Sequence, residues 1–134
     1  MKIHLIIIGN ELLNGKISDK NTAFLAQKAY ENNYDLIKTH IIGDDPNSFQ
    51  AALEQAWKES DLVITSGGLG PTKDDITKSM VAKFFNKEIR ENNEAYEFTK
   101  KIYTEKGKEY PNKTLYHHIP TGFNLVYNRI GYAP

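Results

Sequence analysis

The run from Lys2 to Gly9, KIHLIIIG, constrains the fold more than any other part of the chain. It ends in an unbroken Leu-Ile-Ile-Ile sequence, and a strand without polar alternation must be covered on both faces, as in the centre of a parallel sheet. A helical period follows: NTAFLAQKAYENN, Asn21 to Asn33, places Phe24, Leu25, Lys28 and Ala29 on one side, with Asn21 as N-cap. YDLIKTHIIG, Tyr34 to Gly43, predicts a second strand. DPNSFQAALEQAWKES predicts a second helix with Asp45 as N-cap, Pro46 at its first position, and Phe49, Leu53, Ala56 and Trp57 on its buried face. DLVITSGG is a third strand running into glycines, followed by a helix from about Lys73 to Phe85 with Ile76, Met80 and Phe84 inward. A fourth helix is expected over Glu91 to Lys106, stopped by Gly107. In the turn-rich remainder, NLVY (Asn124 to Tyr127) is the best strand candidate. Strands alternating with helices predict an α/β protein, a three-layer αβα sandwich on a mainly parallel sheet. Ligands of such sheets sit beyond the carboxyl ends of the strands, which here means the loops after Ile8, Ile42 and Thr65.

The third of these loops carries TSGGLGPTKDDIT, Thr65 to Thr77. Gly67, Gly68 and Gly70 let the backbone take positive φ and let a ligand approach it, and a helix start beyond them would offer unpaired N–H groups to an anion, most naturally phosphate. Two readings of Asp74 and Asp75 stand side by side. They are first-turn partners of the helix dipole, or they hold a hard cation such as Mg2+ that bridges carboxylate and phosphate. The loop is neither a Walker sequence nor a GxGxxG fingerprint. Charge does not widen the choice: Lys plus Arg and Asp plus Glu both total 17, which gives no reason to expect nucleic acid. The longest apolar run, Leu5 to Ile8, is too short to span a bilayer. No cysteine is present, and Met1 opens directly into a strand-like run, so the reading is a cytoplasmic protein with no membrane partner.

TSGGLGPTKDDIT resembles the signature of the CinA proteins, within the wider molybdopterin-binding fold family that includes MogA and MoaB. Three further stretches are similar to family elements in the same order: GNELLNGKISDKNTAFLAQKA (Gly9 to Ala29) to an opening Gly-Thr-Glu-Leu-Leu loop with a later Asn-Thr, IIGDD (Ile41 to Asp45) to the second loop, and NRIGYAP (Asn128 to Pro134) to an Asn-x-x-Gly-x-Ala-Pro-Gly element. Asn10 stands where the family usually has threonine, and Tyr132 where it has the threonine of Gly-Thr-Ala-Pro, a bulkier residue expected to narrow or reshape the pocket. Family domains continue through another strand, so the resemblance implies that residues 1–134 are an incomplete CinA-type domain.

The resemblance implies a function and a site. It associates the domain with metal-dependent hydrolysis of the ADP-ribose pyrophosphate to AMP and ribose 5-phosphate; the alternatives are a non-catalytic molybdopterin- or nucleotide-binding module and, less favoured, adenylyl transfer to molybdopterin. The implied partner is a small nucleotide or pterin phosphate, the cofactor Mg2+ or another divalent ion such as Co2+, and the assembly a homo-oligomer. Gly9, Asn10, Ser66, Gly67, Gly68, Gly70, Thr72, Lys73 and Gly131 fall on phosphate- or ligand-contacting positions. Asp75 falls on the functional acidic position; Asp74 replaces a MogA-like arginine and joins the implied metal set. Asp44 falls on a second acidic position, read either as a metal ligand with Asp75 or as a solvated turn carboxylate. Glu11 is read as a base, a ribose ligand or a helix-edge charge.

The remaining tempting residues carry plainer readings. His117 and His118 are adjacent, so a strand would turn them to opposite faces, and no nearby acid or cysteine completes a metal set. His4 is expected to be a satisfied sheet residue, and Tyr96, Phe98, Tyr103 and Tyr110 to serve as core or oligomer contacts.

Overall fold

The computed structural model describes the chain except for Pro71, Lys73, Asp74, residues 112–115, Arg129 and Pro134. It divides into two compact units, Met1–Gly68 and Leu69–Pro134.

The first unit is built on strand β1 (Lys2–Ile8), flanked in parallel by β2 (Asp35–Ile42) and β3 (Leu62–Ser66) in the order β2-β1-β3. As the apolar run requires, every residue from Ile3 to Ile8 is buried. Side chains of a strand alternate between faces. Ile3, Leu5 and Ile7 accordingly form one cluster with Ala29 and the partly buried Leu12 and Leu25. Ala29 and Leu25 come from helix α2 (Lys20–Glu31), and Leu12 from the short helix α1 (Asn10–Leu13). His4, Ile6 and Ile8 face the other way, where helix α3 (Pro46–Glu59) buries Phe49, Ala52, Leu53 and Ala56. Helix, sheet and helix make the three expected layers within this unit. Asp45 caps α3 by accepting from the Ser48 N–H at 2.7 Å, with Pro46 at the first position.

Several expectations need correction here. The N-cap of α2 is Asp19, not Asn21, because the Asp19 carboxylate accepts from two backbone donors, those of Asn21 and Thr22, each at 3.0 Å. Trp57 is 57% exposed, one position off the face that Phe49, Leu53 and Ala56 share. His4 is fully buried, yet neither ring nitrogen has a hydrogen-bond partner among the described residues; its ring lies 5.4 Å from that of His40 on β2.

The second unit holds helix α4 (Thr77–Phe84), strand β4 (Ile89–Glu91), helix α5 (Asn93–Glu105) and strand β5 (His118–Pro120), with β4 and β5 antiparallel. These two strands, three residues each, were not foreseen, and Asn124–Tyr127 forms no strand. Asn92 caps α5 through the Ala95 N–H at 2.9 Å, and Gly107 follows its end at φ 67°. Aromatic rings fill the rest: Tyr103 lies 5.2 Å from Tyr110 and 4.3 Å from Tyr132 between ring centroids. No helix among the described residues is long and apolar enough to cross a membrane.

Candidate functional site

In the first unit the strand order reverses at β1, so the crevice beyond the carboxyl ends of β1 and β3 is where a ligand is expected. A cavity of about 580 Å³ lies there, lined by Ile7 and Ile8 from β1, Ser66 and Gly67 after β3, Glu11 from α1 and Asn21 from α2. Its size is that of a small-molecule site. Gly67 makes the turn possible: its φ is 101°, and a Cβ there would fall onto the Ile8 carbonyl oxygen, so only glycine fits. Gly68 follows at φ 63°. The Asn21 amide donates to the Ser66 hydroxyl at 2.8 Å, which places Asn21 in the cavity wall, a role that an N-cap residue would not suggest. Lys16 and Lys20 also line the cavity and supply cations the sequence reading did not assign. The Glu11 carboxylate folds back over Gly9, where a Cβ would sit 2.6 Å from Oε1.

Asn10 and Asp44 form a reciprocal pair: the Asn10 N–H donates to Asp44 Oδ2 at 3.1 Å, and the Asp44 N–H donates to Asn10 Oδ1 at 3.2 Å. The backbone Gly9 N–H reaches the Ile42 carbonyl at 3.0 Å beside them. The loops after β1 and β2 are thereby clasped together, with Asp44 as half of the clasp.

The glycine stretch is divided between the units, since Gly70 belongs to the second. Helix α4 begins at Thr77 rather than near Lys73, so Asp75 precedes the helix instead of occupying its first turn. The reason is local. Asp75 closes a turn by donating its N–H to the Thr72 carbonyl at 3.2 Å, and its Oδ2 accepts from the Thr72 N–H at 2.9 Å and from the Thr72 hydroxyl. A Cβ on Gly70 would meet the same carboxylate at 2.6 Å. Burial works against the charged form of Asp75, but the hydrogen bonds from Thr72 and Gly70 and the nearby Lys78 ammonium outweigh it and hold the carboxyl below its usual range. Lys78 is the counterpart: burial pushes its ammonium down to about 8 against the pull of Asp75. With Gly70, Thr72, Ser79 and His118 these two line a small cavity of about 130 Å³. Lys78 stands one helical turn beyond Asp75, a spacing that could have flagged it. Lys73 and Asp74 lie outside the described residues. Gly131 sits in a turn closed by its own N–H on Asn128 Oδ1 at 3.0 Å, and the Tyr132 ring lies against Tyr103, tilted by 39°, with the Lys106 ammonium 4.3 Å from its centroid.

His117 and His118 also depart from expectation. Their rings lie 4.6 Å apart rather than on opposite faces, because His117 precedes β5 in a turn, and β4 supplies the missing acid: Glu91 pairs with His118 across the ladder. Burial, reinforced by His118, pushes the His117 imidazole below its ordinary pKa.

Residues 4–128 match the family described as "Probable molybdopterin binding domain". A protein of Clostridium beijerinckii named as competence-damage inducible is 36% identical over the whole of this chain, which spans 33% of that relative's length. The solved structure of the protein CinA of unknown function from Thermoplasma acidophilum is 32% identical, with a TM-score of 0.87 over 99% of this chain and 78% of the other. The tungsten cofactor synthesizing protein MoaB from Pyrococcus furiosus is 28% identical, with a TM-score of 0.61 over 79% of this chain and 64% of its own.

Proposed function

We propose, from the premise that this chain belongs to the CinA family and carries its molybdopterin-binding-type domain, that it binds ADP-ribose and hydrolyses the pyrophosphate to AMP and ribose 5-phosphate. The observation that carries the reading is the cavity at the ends of β1 and β3, which combines a glycine turn, the Ser66–Asn21 pair, two lysines and the carboxylates of Glu11 and Asp19 in a volume of about 580 Å³. A water oxygen attacks one phosphorus, the bond from that phosphorus to the bridging oxygen breaks, and the bridging oxygen leaves on the other phosphate. Glu11 takes the proton released from the water, while Lys16, Lys20 and the N–H groups after β3 hold phosphate charge.

A carboxylate held in its charged form suits a hard divalent ion. Asp75 and Asp44 offer carboxylate oxygens, and Asp75 is held ionised below the usual carboxylate range. Asp75 would hold Mg2+ or Co2+; Asp44, which belongs to the other unit, and Asp74, outside the described residues, are the further carboxylates that the family resemblance implies. When bound, the ion neutralises phosphate charge and makes a coordinated water more acidic.

A second reading, a binding module without turnover, is favoured by one specific observation: Asp44 and Asp75 already serve as braces, to Asn10 and to Thr72. Incubation of the chain with ADP-ribose and Mg2+ or Co2+ separates the two. The hydrolase reading expects AMP in equimolar amount with ribose 5-phosphate, and a loss of about a hundredfold or more in Asp75→Asn. ADP-ribose binding without AMP from either metal establishes the module instead.

A further inference from the structure

We propose that Glu91, His117 and His118 form a second, separate cation site, selective for a first-row transition ion such as Zn2+. The three donors are one carboxylate oxygen and two imidazole nitrogens, all within 4.8 Å of one another. Glu91 Oε1 lies 4.0 Å from His117 Nε2 and 3.9 Å from His118 Nε2. Ligands on a tetrahedral ion with bonds of about 2.0–2.2 Å stand roughly 3.3 Å apart. Closing the site therefore asks for up to about 1.5 Å from the widest donor pair, and for about 0.6–0.7 Å from each carboxylate–imidazole separation. Glu91, whose side chain is 73% exposed, is free to supply most of the latter.

The backbone fixes the arrangement. Glu91 and His118 are opposite each other in the β4–β5 ladder, and the Asn92 N–H donates to the His117 carbonyl at 2.9 Å, so the chain segments that carry all three donors are already paired. The His117 ring is further oriented from behind. Its Nδ1 lies 2.7 Å from the buried Tyr110 hydroxyl, and the Tyr96 and Tyr110 rings meet it edge-on at 5.3 and 5.9 Å. With Nε2 on the ion, Nδ1–H donates to the Tyr110 oxygen, the second-layer contact that metal-bound histidines commonly have.

Chemistry sets the identity of the ion. Two imidazoles with one carboxylate suit Zn2+, Ni2+ or Cu2+, whereas Mg2+ prefers an all-oxygen set. Three protein donors leave a fourth position, and a cavity of about 320 Å³ lined by Glu91, Asn93, Tyr96 and His117 opens beside them, with room for a water or a small anion. The ion would staple β4 to β5 and to the turn before it, and no local pattern announces the set because the acid stands 26 and 27 residues upstream of the two histidines.

Calorimetric titration of the metal-free chain with ZnCl2 tests the site, and does so independently of ADP-ribose. The expected result is one equivalent bound with a Kd in the micromolar range or below, accompanied by a saturable rise in Tm of about 5 °C in excess Zn2+. Glu91→Gln, at an exposed position where the fold does not depend on the carboxylate, should weaken binding at least about tenfold, and His118→Ala about a hundredfold. Glu105→Gln, at an exposed carboxylate outside the cavity that Asp75 and His118 share, should leave Zn2+ binding unchanged. Absence of binding overturns the proposal, as does binding that neither Glu91→Gln nor His118→Ala weakens. Binding lost in Asp75→Asn and retained in Glu91→Gln also overturns it, by moving the ion to the glycine-loop carboxylate.

Discussion

The two units reach order by different means. Met1–Gly68 rests on one strand buried from Ile3 to Ile8, parallel partners on either side and a helix against each face, so its core is mainly aliphatic, with Phe49 and His4 as its fully buried rings. Leu69–Pro134 has a two-stranded ladder of three residues per strand, and much of its interior is aromatic rings and histidines tied by polar contacts. Burial of apolar area is additive and tolerant of detail, whereas a ring-and-hydrogen-bond interior depends on individual partners. The first unit should therefore respond to loss of volume, and the second to loss of single polar atoms.

The largest effect is expected from Phe49→Ala, which empties a fully buried site against the sheet and should destabilise the chain by about 3–5 kcal/mol in denaturant unfolding. A change below about 1 kcal/mol would show that α3 is not packed as described. A smaller but sharper loss is expected from Tyr110→Phe, which keeps the ring and removes only the hydroxyl facing His117 Nδ1. Leaving that buried nitrogen without this partner should cost about 1–2 kcal/mol, and an unchanged denaturation midpoint would mean the polar contact contributes nothing to the second unit.

The smallest effect is a pH dependence shared by both units. Burial lowers the pKa of His40 in the first unit and of His117 in the second below the ordinary 6.5. The unfolded chain then takes up protons near 6.5 that the folded chain resists, so stability falls as pH drops from 6.5 through the folded pKa values. Asp19 and Asp75, also lowered, add a further loss below 3.8. Denaturation midpoints followed through both ranges should decline in two stages, and a flat upper stage would contradict the buried histidines.

The same contrast explains what could be read from the chain. β1 was legible because four consecutive aliphatic residues admit few environments, and α3 because Asp45-Pro46 states its own beginning. β4 and β5 were not, since three residues, exposed throughout in β4 and half-buried to buried in β5, are too few to show the period of a strand. Asn21 passed for a cap because the choice between it and Asp19 depends on which side chain reaches two N–H groups, a matter of geometry rather than composition. The site divides likewise. Gly67 and the end of β3 followed from the glycines, while the bracing roles of Asp44 and Asp75, the placement of Lys78 and the meeting of Glu91 with two histidines arise from contacts between residues whose pairing no local pattern announces.

The Asn10–Asp44 clasp has a consequence for how such a chain tolerates substitution. Each residue supplies both a backbone donor and a side-chain acceptor to the other, so neither can be exchanged without stranding its partner. Threonine at position 10, with its shorter reach, would leave the Asp44 N–H to find another acceptor. A substitution at either position that removes the side-chain oxygen thus acts across 34 residues of chain, on the backbone N–H of the other.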